Sequence, residues 1–189
     1  KKEINMKATE ILMTEHKAVL VALEILHKIG EAIGIGNANA PGDMEQLIDF
    51  FRVFVDRCHH GKEEDVLFPE LENRGVPREG GPIGVMLADH EIGRRCIREI
   101  SKSMACLRGG DFKSVESIRT TVTEYREMLR SHIDKENNVL YPIADRLLSK
   151  DEDLKMVERF DEIEQDRVGA GKHEAYHDML HHLKEIYKA

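Results

Sequence analysis

The chain has 189 residues, of which 41% are hydrophobic and 34% charged, with 5 Pro and 14 Gly. This size and composition fit one folded domain and exclude a disordered, collagen-like or low-complexity chain. The formal net charge of −8 and the lack of a long basic run argue against nucleic acid or an anionic membrane surface as a partner.

The sequence contains no recognisable membrane span or signal peptide. Its longest apolar stretch, 18–23, ends at Glu24 and is far shorter than the roughly 20 apolar residues of a membrane-spanning helix. Cys58, Cys96 and Cys106 form no Cys-x-x-Cys pair, which is typical of a reducing compartment. We therefore expect a cytoplasmic protein without membrane contact.

Helical periodicity accounts for nearly the whole chain. Four long segments repeat apolar residues at alternating spacings of three and four, and breaks rich in Gly and Pro separate them at 34–42, 75–82 and 109–110. A fifth segment follows Lys150, and a last amphipathic helix is predicted at about 172–187.

Long helices joined by short breaks predict an all-α fold. We expect an up-down-up-down four-helix bundle over residues 1–149, with 150–189 as a short C-terminal helical extension packed on the same domain. Pro69 and Pro142 are expected to kink or end the second and fourth helices, because proline lacks the backbone N–H that an interior helical position uses.

The predicted inward face of each long segment carries a histidine. In chain order these are His16, His59, His90 and His132. Glu63 and Glu136 follow the second and fourth of them by four residues, a spacing that puts both side chains of a pair on one face of a helix.

An internal repeat relates the two halves of the chain. Residues 58–69 and 131–142 share six identities in twelve positions at an offset of 73 residues, and His16 and His90 are 74 residues apart. The chain therefore resembles two helix pairs related by duplication, which would face each other around one interior.

Four imidazoles and two carboxylates directed into one interior indicate a metal site. A buried carboxylate requires a cation or a metal ion, and no thiolate belongs to the set. Mixed imidazole and carboxylate ligands suit iron, with zinc and manganese as possible substitutes. The ferritin-like di-iron pattern Glu-x-x-His, present at Glu174 and His177, includes none of these four histidines.

The order His, His-x-x-x-Glu, His, His-x-x-x-Glu resembles the hemerythrin-like (HHE cation-binding) family, in its intracellular prokaryotic-type branch, over about residues 8–145. The matching positions are His16, His59, Glu63, His90, His132 and Glu136. The resemblance implies a centre of two Fe ions with bridging carboxylates and an oxo or hydroxo bridge. Such a centre would take O2, NO or peroxide as its small-molecule partner.

One ligand of the oxygen-carrying members has no counterpart here. Their fifth histidine lies on the third helix, where this chain has Gly93 and Arg94 after His90. Two replacements remain open, His60 and His177. An ordinary helix would point His60 about 100° away from its neighbour His59, so a ligand and a residue outside the site are equally compatible with the sequence.

The sequence His173-Glu-Ala-Tyr-His177 also matches the zinc-protease helix signature. We interpret this match as coincidental, because Leu180 and Leu183 stand where the longer form of that signature has Gly and His. A helix that packs its apolar face on the bundle is the simpler interpretation of this segment.

Two classes of function follow from the resemblance. The chain would bind or sense O2, NO or iron, or it would be a di-iron enzyme that acts on peroxide or NO or donates iron during iron-sulfur cluster repair. A His-rich set with few carboxylates favours the ferrous state and reversible binding. We therefore expect a binding or sensing protein rather than a dedicated enzyme.

Overall fold

The structure is a computed structural model that describes residues 6–169 and 171–189. The described residues form helices and no strand, as the sequence predicts. The α-helices are α1 (Ala8–Ala32), α2 (Ala40–Phe50), α3 (Phe68–Glu72), α4 (Pro82–Arg108), α5 (Ser114–Lys135), α6 (Tyr141–Leu147), α7 (Lys150–Arg167) and α8 (Lys172–Tyr187). Three π-helical segments interrupt them, Phe51–His60, Glu63–Leu67 and Glu136–Leu140.

Two of the long helices combine α and π geometry. The second long helix, 40–72, runs from α2 through two π-helical segments into α3, and the fourth long helix, 114–147, runs from α5 through one such segment into α6. The first and third long helices are α1 and α4. The predicted breaks are confirmed as the connections between these four helices.

Glycine is required at the turn that follows α1. Gly34 adopts φ +83°, which L side chains rarely adopt, and a Cβ there would lie 3.0 Å from Val115 Cγ1. The absence of a side chain lets this turn pack directly against the start of α5.

The π-helical turns lie immediately before the two prolines. The backbone N–H of Phe68 donates to the Glu63 carbonyl, and that of Tyr141 donates to the Glu136 carbonyl, five residues back in each case. The wider turn accommodates a proline ring, which in an α-helix would clash with the carbonyl four residues earlier. Both helices therefore continue beyond the proline, to Glu72 and Leu147.

Helices α7 and α8 pack on the long helices through buried apolar faces. Met156, Val157 and Phe160 of α7 belong to a buried cluster that includes residues of α1, α3 and α6. The larger buried cluster contains Tyr176, Leu180 and Leu183 of α8 together with residues from α1, α2, α4 and α5. Each C-terminal helix thus contributes to one of the two buried clusters.

A membrane-spanning helix must be both long and apolar. Within residues 6–169 and 171–189, none combines the length and the apolar character of a membrane-spanning segment.

Candidate metal centre

The six side chains that define the sequence pattern converge in the interior between the four long helices. Each of these six side chains is at most 2% exposed. They are His16, His59, Glu63, His90, His132 and Glu136. His60 joins them and is 4% exposed. Such complete burial of seven ionisable groups requires a partner for their charges and lone pairs.

Two groups of four residues could each hold a metal ion. The first contains His16, His59, Glu63 and Glu136, and the second contains His60, Glu63, His90 and His132. In each group, one ligand atom per residue lies within 4.8 Å of every other. Glu63 belongs to both groups.

Glu136 also lies between the two halves of the centre. Its Oε2 is 3.2 Å from His16 Nε2, and its Oε1 is 3.1 Å from His132 Nε2. The two oxygens of one carboxylate therefore face histidines of different halves, which is the placement that a bridging ligand needs.

Several of these atoms are unsatisfied by the protein itself. Glu63 Oε2, His90 Nε2, His132 Nε2 and both oxygens of Glu136 are buried without a hydrogen-bond partner among the described residues. Each buried polar atom left unpaired costs about 1–3 kcal/mol, and a charged one costs more. The centre of the site thus contains potential metal-ligand atoms that form no hydrogen bond with the described residues.

The spacing of these atoms suits ligands that share an ion. His16 Nε2 is 3.0 Å from His59 Nε2, and His90 Nε2 is 3.3 Å from Glu63 Oε2. Two atoms bound to one ion at right angles, each about 2.1 Å from it, are about 3 Å apart. The residues present therefore fit a metal pair.

The outer nitrogen of each imidazole is held by an oxygen. Nδ1 lies 2.7 Å from Glu15 in His59, 2.6 Å from Glu64 in His90, 3.3 Å from Asp89 in His132 and 2.9 Å from Asn137 in His16. Carboxylate and amide oxygens only accept hydrogen bonds, so each Nδ1 carries a proton and Nε2 is the nitrogen that faces inward, where a bound metal ion would displace any proton on it. These contacts fix both the tautomer and the orientation of the rings.

The internal repeat extends to these oxygens, although our sequence analysis did not identify them. Glu15 and Asp89 are 74 residues apart and each immediately precedes a histidine of the site, while Glu64 and Asn137 occupy equivalent positions of the repeat. Lys62 and Lys135 are likewise equivalent, and each donates to the carboxylate that holds a histidine, Glu15 or Asp89. The repeat alignment alone could have identified these positions.

Opposite charges inside the site shift the pKa values of its members. Although burial lowers it, the charge of Glu136 and the hydrogen bond with Asp89 raise the pKa of His132 to about 10. Although burial raises it, the hydrogen bond from His59 and the charge of Lys62 lower the pKa of Glu15 to about 2. Glu15 thus remains ionised and accepts the hydrogen bond from His59.

His60 lies inside the site rather than outside it. Its ring stacks on that of His90, and its Nδ1 lies 3.5 Å from Asp56 Oδ1. Burial, followed by the charges of His90 and His59, lowers the pKa of His60 well below its ordinary value, so the ring is neutral and its lone pair is free to bind a metal. The repeat equivalent of His60 is Ile133, so only one half has this extra imidazole.

His177 is not brought together with the other seven candidates. Its side chain is exposed on α8, and its ring contacts His173 with centroids 4.9 Å apart. The face of α8 that packs inward instead carries Tyr176, Leu180 and Leu183. The orientation of α8 about its axis therefore directs His177 to solvent, and of the two possible replacements for the missing ligand the structure brings only His60 to the site.

A phenol hydroxyl also reaches the first group. Tyr141 is fully buried, and its hydroxyl donates to Glu63 Oε1 at 2.6 Å and lies 3.4 Å from His16 Nε2. Its repeat equivalent is Phe68, whose ring stacks on His90 without a polar contact. The two halves thus differ in one hydroxyl group, which the aligned Phe and Tyr indicated in the sequence.

A small cavity opens beside the second group. It has a volume of ≈160 Å³, and His60, Gly93 and Tyr125 are among its lining residues. One water needs a cavity of only roughly 10–15 Å³. The missing side chain at Gly93 keeps the space open, since a Cβ there would lie 3.4 Å from Tyr125 Cε2.

Comparison with known families decides the relationship. The family model of the hemerythrin HHE cation-binding domain matches residues 7–144. The chain belongs to the hemerythrin HHE family. The match includes the first three long helices, the fourth up to residue 144 and all seven clustered candidates, whereas α7 and α8 lie beyond it.

Several curated relatives of this HHE chain are similar over part of their length. An uncharacterized protein of Mycobacterium tuberculosis is 26% identical over 171 residues, covering 88% of this chain and 65% of the relative. The iron-sulfur cluster repair protein YtfE of Edwardsiella ictaluri is 28% identical over 132 residues, covering 68% and 59%. YtfE of Yersinia pestis is 31% identical over 89 residues, covering 46% and 40%. The HHE chain thus spans less than two thirds of each.

Proposed function

We propose that the protein is a non-haem di-iron protein that binds or senses O2, NO or iron. Its four long helices would form an up-down-up-down four-helix bundle within residues 1–149, with 150–189 packed on the same domain. The two Fe ions would be held by His16, His59, His60, Glu63, His90, His132 and Glu136. Zinc or manganese could substitute for iron in this set of nitrogen and oxygen ligands.

The single observation that carries this proposal is the convergence of buried atoms without protein partners. Five such atoms belong to Glu63, His90, His132 and Glu136, and the two carboxylates lie between the two groups. A site that used these residues only for packing would pair the atoms with one another in hydrogen-bond geometry. Their arrangement supports two adjacent ions.

A small ligand needs both an open position and a route. When bound, an iron pair supplies Lewis-acid and redox chemistry at positions that the protein leaves free. Seven protein side chains, two of them shared, do not fill two six-coordinate ions. The cavity beside His60 and Gly93 provides space for a diatomic molecule next to the second group.

The residues around the centre have separate tasks in this proposal. Glu15, Glu64 and Asp89 hold the imidazoles in place by accepting hydrogen bonds from their Nδ1–H groups. The Tyr141 hydroxyl donates to Glu63 Oε1 and also lies beside His16 of the first group. Apolar packing around the site excludes water and strengthens these interactions.

A second candidate function is supported by the relatives. Two of them are named iron-sulfur cluster repair proteins, so donation of iron during cluster repair is compatible with a site that releases its metal. Peroxide breakdown or NO reduction would use the same centre. We favour binding or sensing because five imidazoles and two carboxylates stabilise ferrous iron.

Visible absorption under controlled gas tests the proposal. The protein is loaded with ferrous iron without oxygen, O2 is admitted and then removed, and the spectrum is recorded at each step. A charge-transfer band that appears and disappears with O2 supports reversible binding. A single irreversible conversion to the diferric form favours the enzymatic alternative, and failure to bind iron contradicts both.

A further inference from the structure

The two halves of the site differ in their contact with the C-terminal helices. Lys62 and Lys135 are repeat equivalents, and each donates to the carboxylate that holds a histidine. The side chain of Lys62 is 1% exposed, whereas that of Lys135 is 37% exposed. The same arrangement is therefore buried in one half and open to solvent in the other.

The burial of Lys62 is produced by α7. Its ammonium lies 5.9 Å from the centroid of the Phe160 ring, which is 1% exposed. Met156 and Val157 of α7 lie in the same buried cluster as Val66, one turn after Lys62. Helix α7 thus covers the outer side of the second long helix where that helix presents His59.

A continuous line of polar contacts connects α7 to the first group. Glu164 Oε2 accepts a hydrogen bond from Lys62 Nζ at 3.0 Å, and Lys62 also donates to Glu15. The other oxygen of Glu15 accepts from His59 Nδ1 at 2.7 Å. Glu164 lies on α7, so this connection reaches beyond the residues that the family model matches.

Burial strengthens the interactions between the charged groups of such a line of contacts. A solvent-exposed ion pair contributes about 0–1 kcal/mol, whereas charges in a low-dielectric interior interact more strongly. A carboxylate held firmly on the outer nitrogen of an imidazole fixes the ring and makes it a better donor to a metal ion. In the other half, Lys135 holds Asp89 from solvent, and Asp89 is 3.3 Å from His132 Nδ1.

We propose that α7 positions the metal centre: Glu164 and Lys62 lock Glu15 onto His59, and α7 thereby sets the metal affinity of the His59 half independently of the His132 half. This inference rests on the proposed function, because it requires a centre that holds two ions. Glu164, Lys62 and Glu15 are positioning residues, since they act through His59.

Packing alone makes a different prediction from positioning. If α7 only covered apolar surface, removal of the Glu164 charge would leave the metal centre unchanged, because this side chain is 36% exposed and lies at the edge of the contact. If α7 positions the centre, loss of the Glu164 charge should change metal binding, because this charge holds the Lys62 ammonium against Glu15.

The test is a Co²⁺ titration of the full chain without oxygen, in competition with a chelator. Lys62→Met should weaken one of two binding steps by about 10–100-fold, the usual effect of losing a group that orients a metal ligand. Glu164→Gln, which preserves size and disturbs no core packing, should weaken the same step by about 2–5-fold. Lys135→Met is the matched control and should change each step by less than about 2-fold.

Proton NMR of the Co²⁺-loaded protein adds a readout independent of affinity. The exchangeable Nδ1–H signal of His59 is identified by its shift in Glu15→Gln. This proton should exchange slowly with solvent in the wild type and faster in Glu164→Gln, whereas Lys135→Met should leave it unchanged. Far-UV circular dichroism of each variant confirms that it is folded.

Two different failures can be separated. If wild-type protein binds fewer than two Co²⁺ ions, the proposed function is wrong. If it binds two, and Glu164→Gln changes neither the binding steps nor the His59 proton, the role of α7 as a positioning element is wrong. Equal effects of Lys62→Met and Lys135→Met would also contradict it.

Discussion

The ring of His60 stacks on the ring of His90, with centroids 3.8 Å apart and planes 14° apart. His60 comes from the second long helix and His90 from α4, so the contact joins the two halves of the internal repeat. The resemblance to oxygen-carrying members of the family implies a further histidine on the third helix, where this chain has Gly93 and Arg94. His60 thus brings an additional imidazole from the second long helix to the group that contains His90 and His132.

Replacing His60 by isoleucine, its repeat equivalent, tests whether it is a ligand. His60→Ile should remove one donor from the second group and weaken one of two metal-binding steps by at least about 10-fold. The measurement is Co²⁺ titration against a chelator. Ile133→Val, a conservative change at the equivalent position, is the control, and equal affinities for His60→Ile and wild type would contradict the assignment.

Glu63 and Glu136 should be needed for the metal pair as a whole. Glu63→Ala and Glu136→Ala each remove a carboxylate that lies between the two groups, so iron content should fall from two ions per chain to one or none. Iron is counted by elemental analysis after dialysis. Glu127→Ala on the exposed side of α5 serves as a control, and full retention of iron in either site variant would rule out bridging.

His177→Ala should leave the centre unchanged. The side chain is exposed on α8 and contacts His173 rather than the buried group. Iron content and the visible spectrum of the variant should equal those of the wild type. A lost or displaced absorption band would show that α8 reaches the metal after all.

Metal removal should lower thermal stability. Metal binds the folded state through preformed groups, so at about 100 times its dissociation constant it stabilises that state by about 2.7 kcal/mol. For a chain of this length this corresponds to a rise in Tm of about 5–10 °C. Circular dichroism melts with and without Co²⁺ measure it. The double variant Glu63→Ala/Glu136→Ala should show no such rise, and a wild-type Tm insensitive to metal would count against a buried site.

Filling the cavity at Gly93 should slow ligand entry. Gly93→Leu projects a side chain toward Tyr125 and Met128, so NO should bind the iron-loaded protein at least about 10-fold more slowly while iron content stays the same; overpacking of this kind costs about 1–3 kcal/mol of stability. Stopped-flow absorbance measures the rate. Gly93→Ala adds only a Cβ at 3.3 Å from Met128 Cε and is the control. Equal rates for glycine and leucine would show that ligands enter elsewhere.

The sequence predicted most of the fold because its signals are local and repeated. Periodic apolar residues and Gly-containing breaks predicted the long helices, and the spacing of His59 with Glu63 and of His132 with Glu136 predicted which side chains share a face. These four residues do converge with His16 and His90. The sequence pattern was enough to predict which side chains face inward, because this depends only on the spacing of residues along one helix.

Two features depended on geometry that spacing does not encode. His60 lies at the end of the π-helical segment Phe51–His60 and is buried beside His90, whereas the sequence argument assumed the side-chain directions of an α-helix. The exposure of His177 depends on the rotation of α8 against the long helices, which is set by tertiary packing. The contact of Glu164 with Lys62 joins residues 102 positions apart and has no local signature.

Anomalous diffraction at the iron edge from crystals of the iron-loaded protein tests the central claim most directly. The account predicts two peaks in the interior, one beside His16 and His59 and the other beside His60, His90 and His132, with Glu63 and Glu136 next to both. A single peak, no peak, or peaks confined to the histidines of α8 would contradict it.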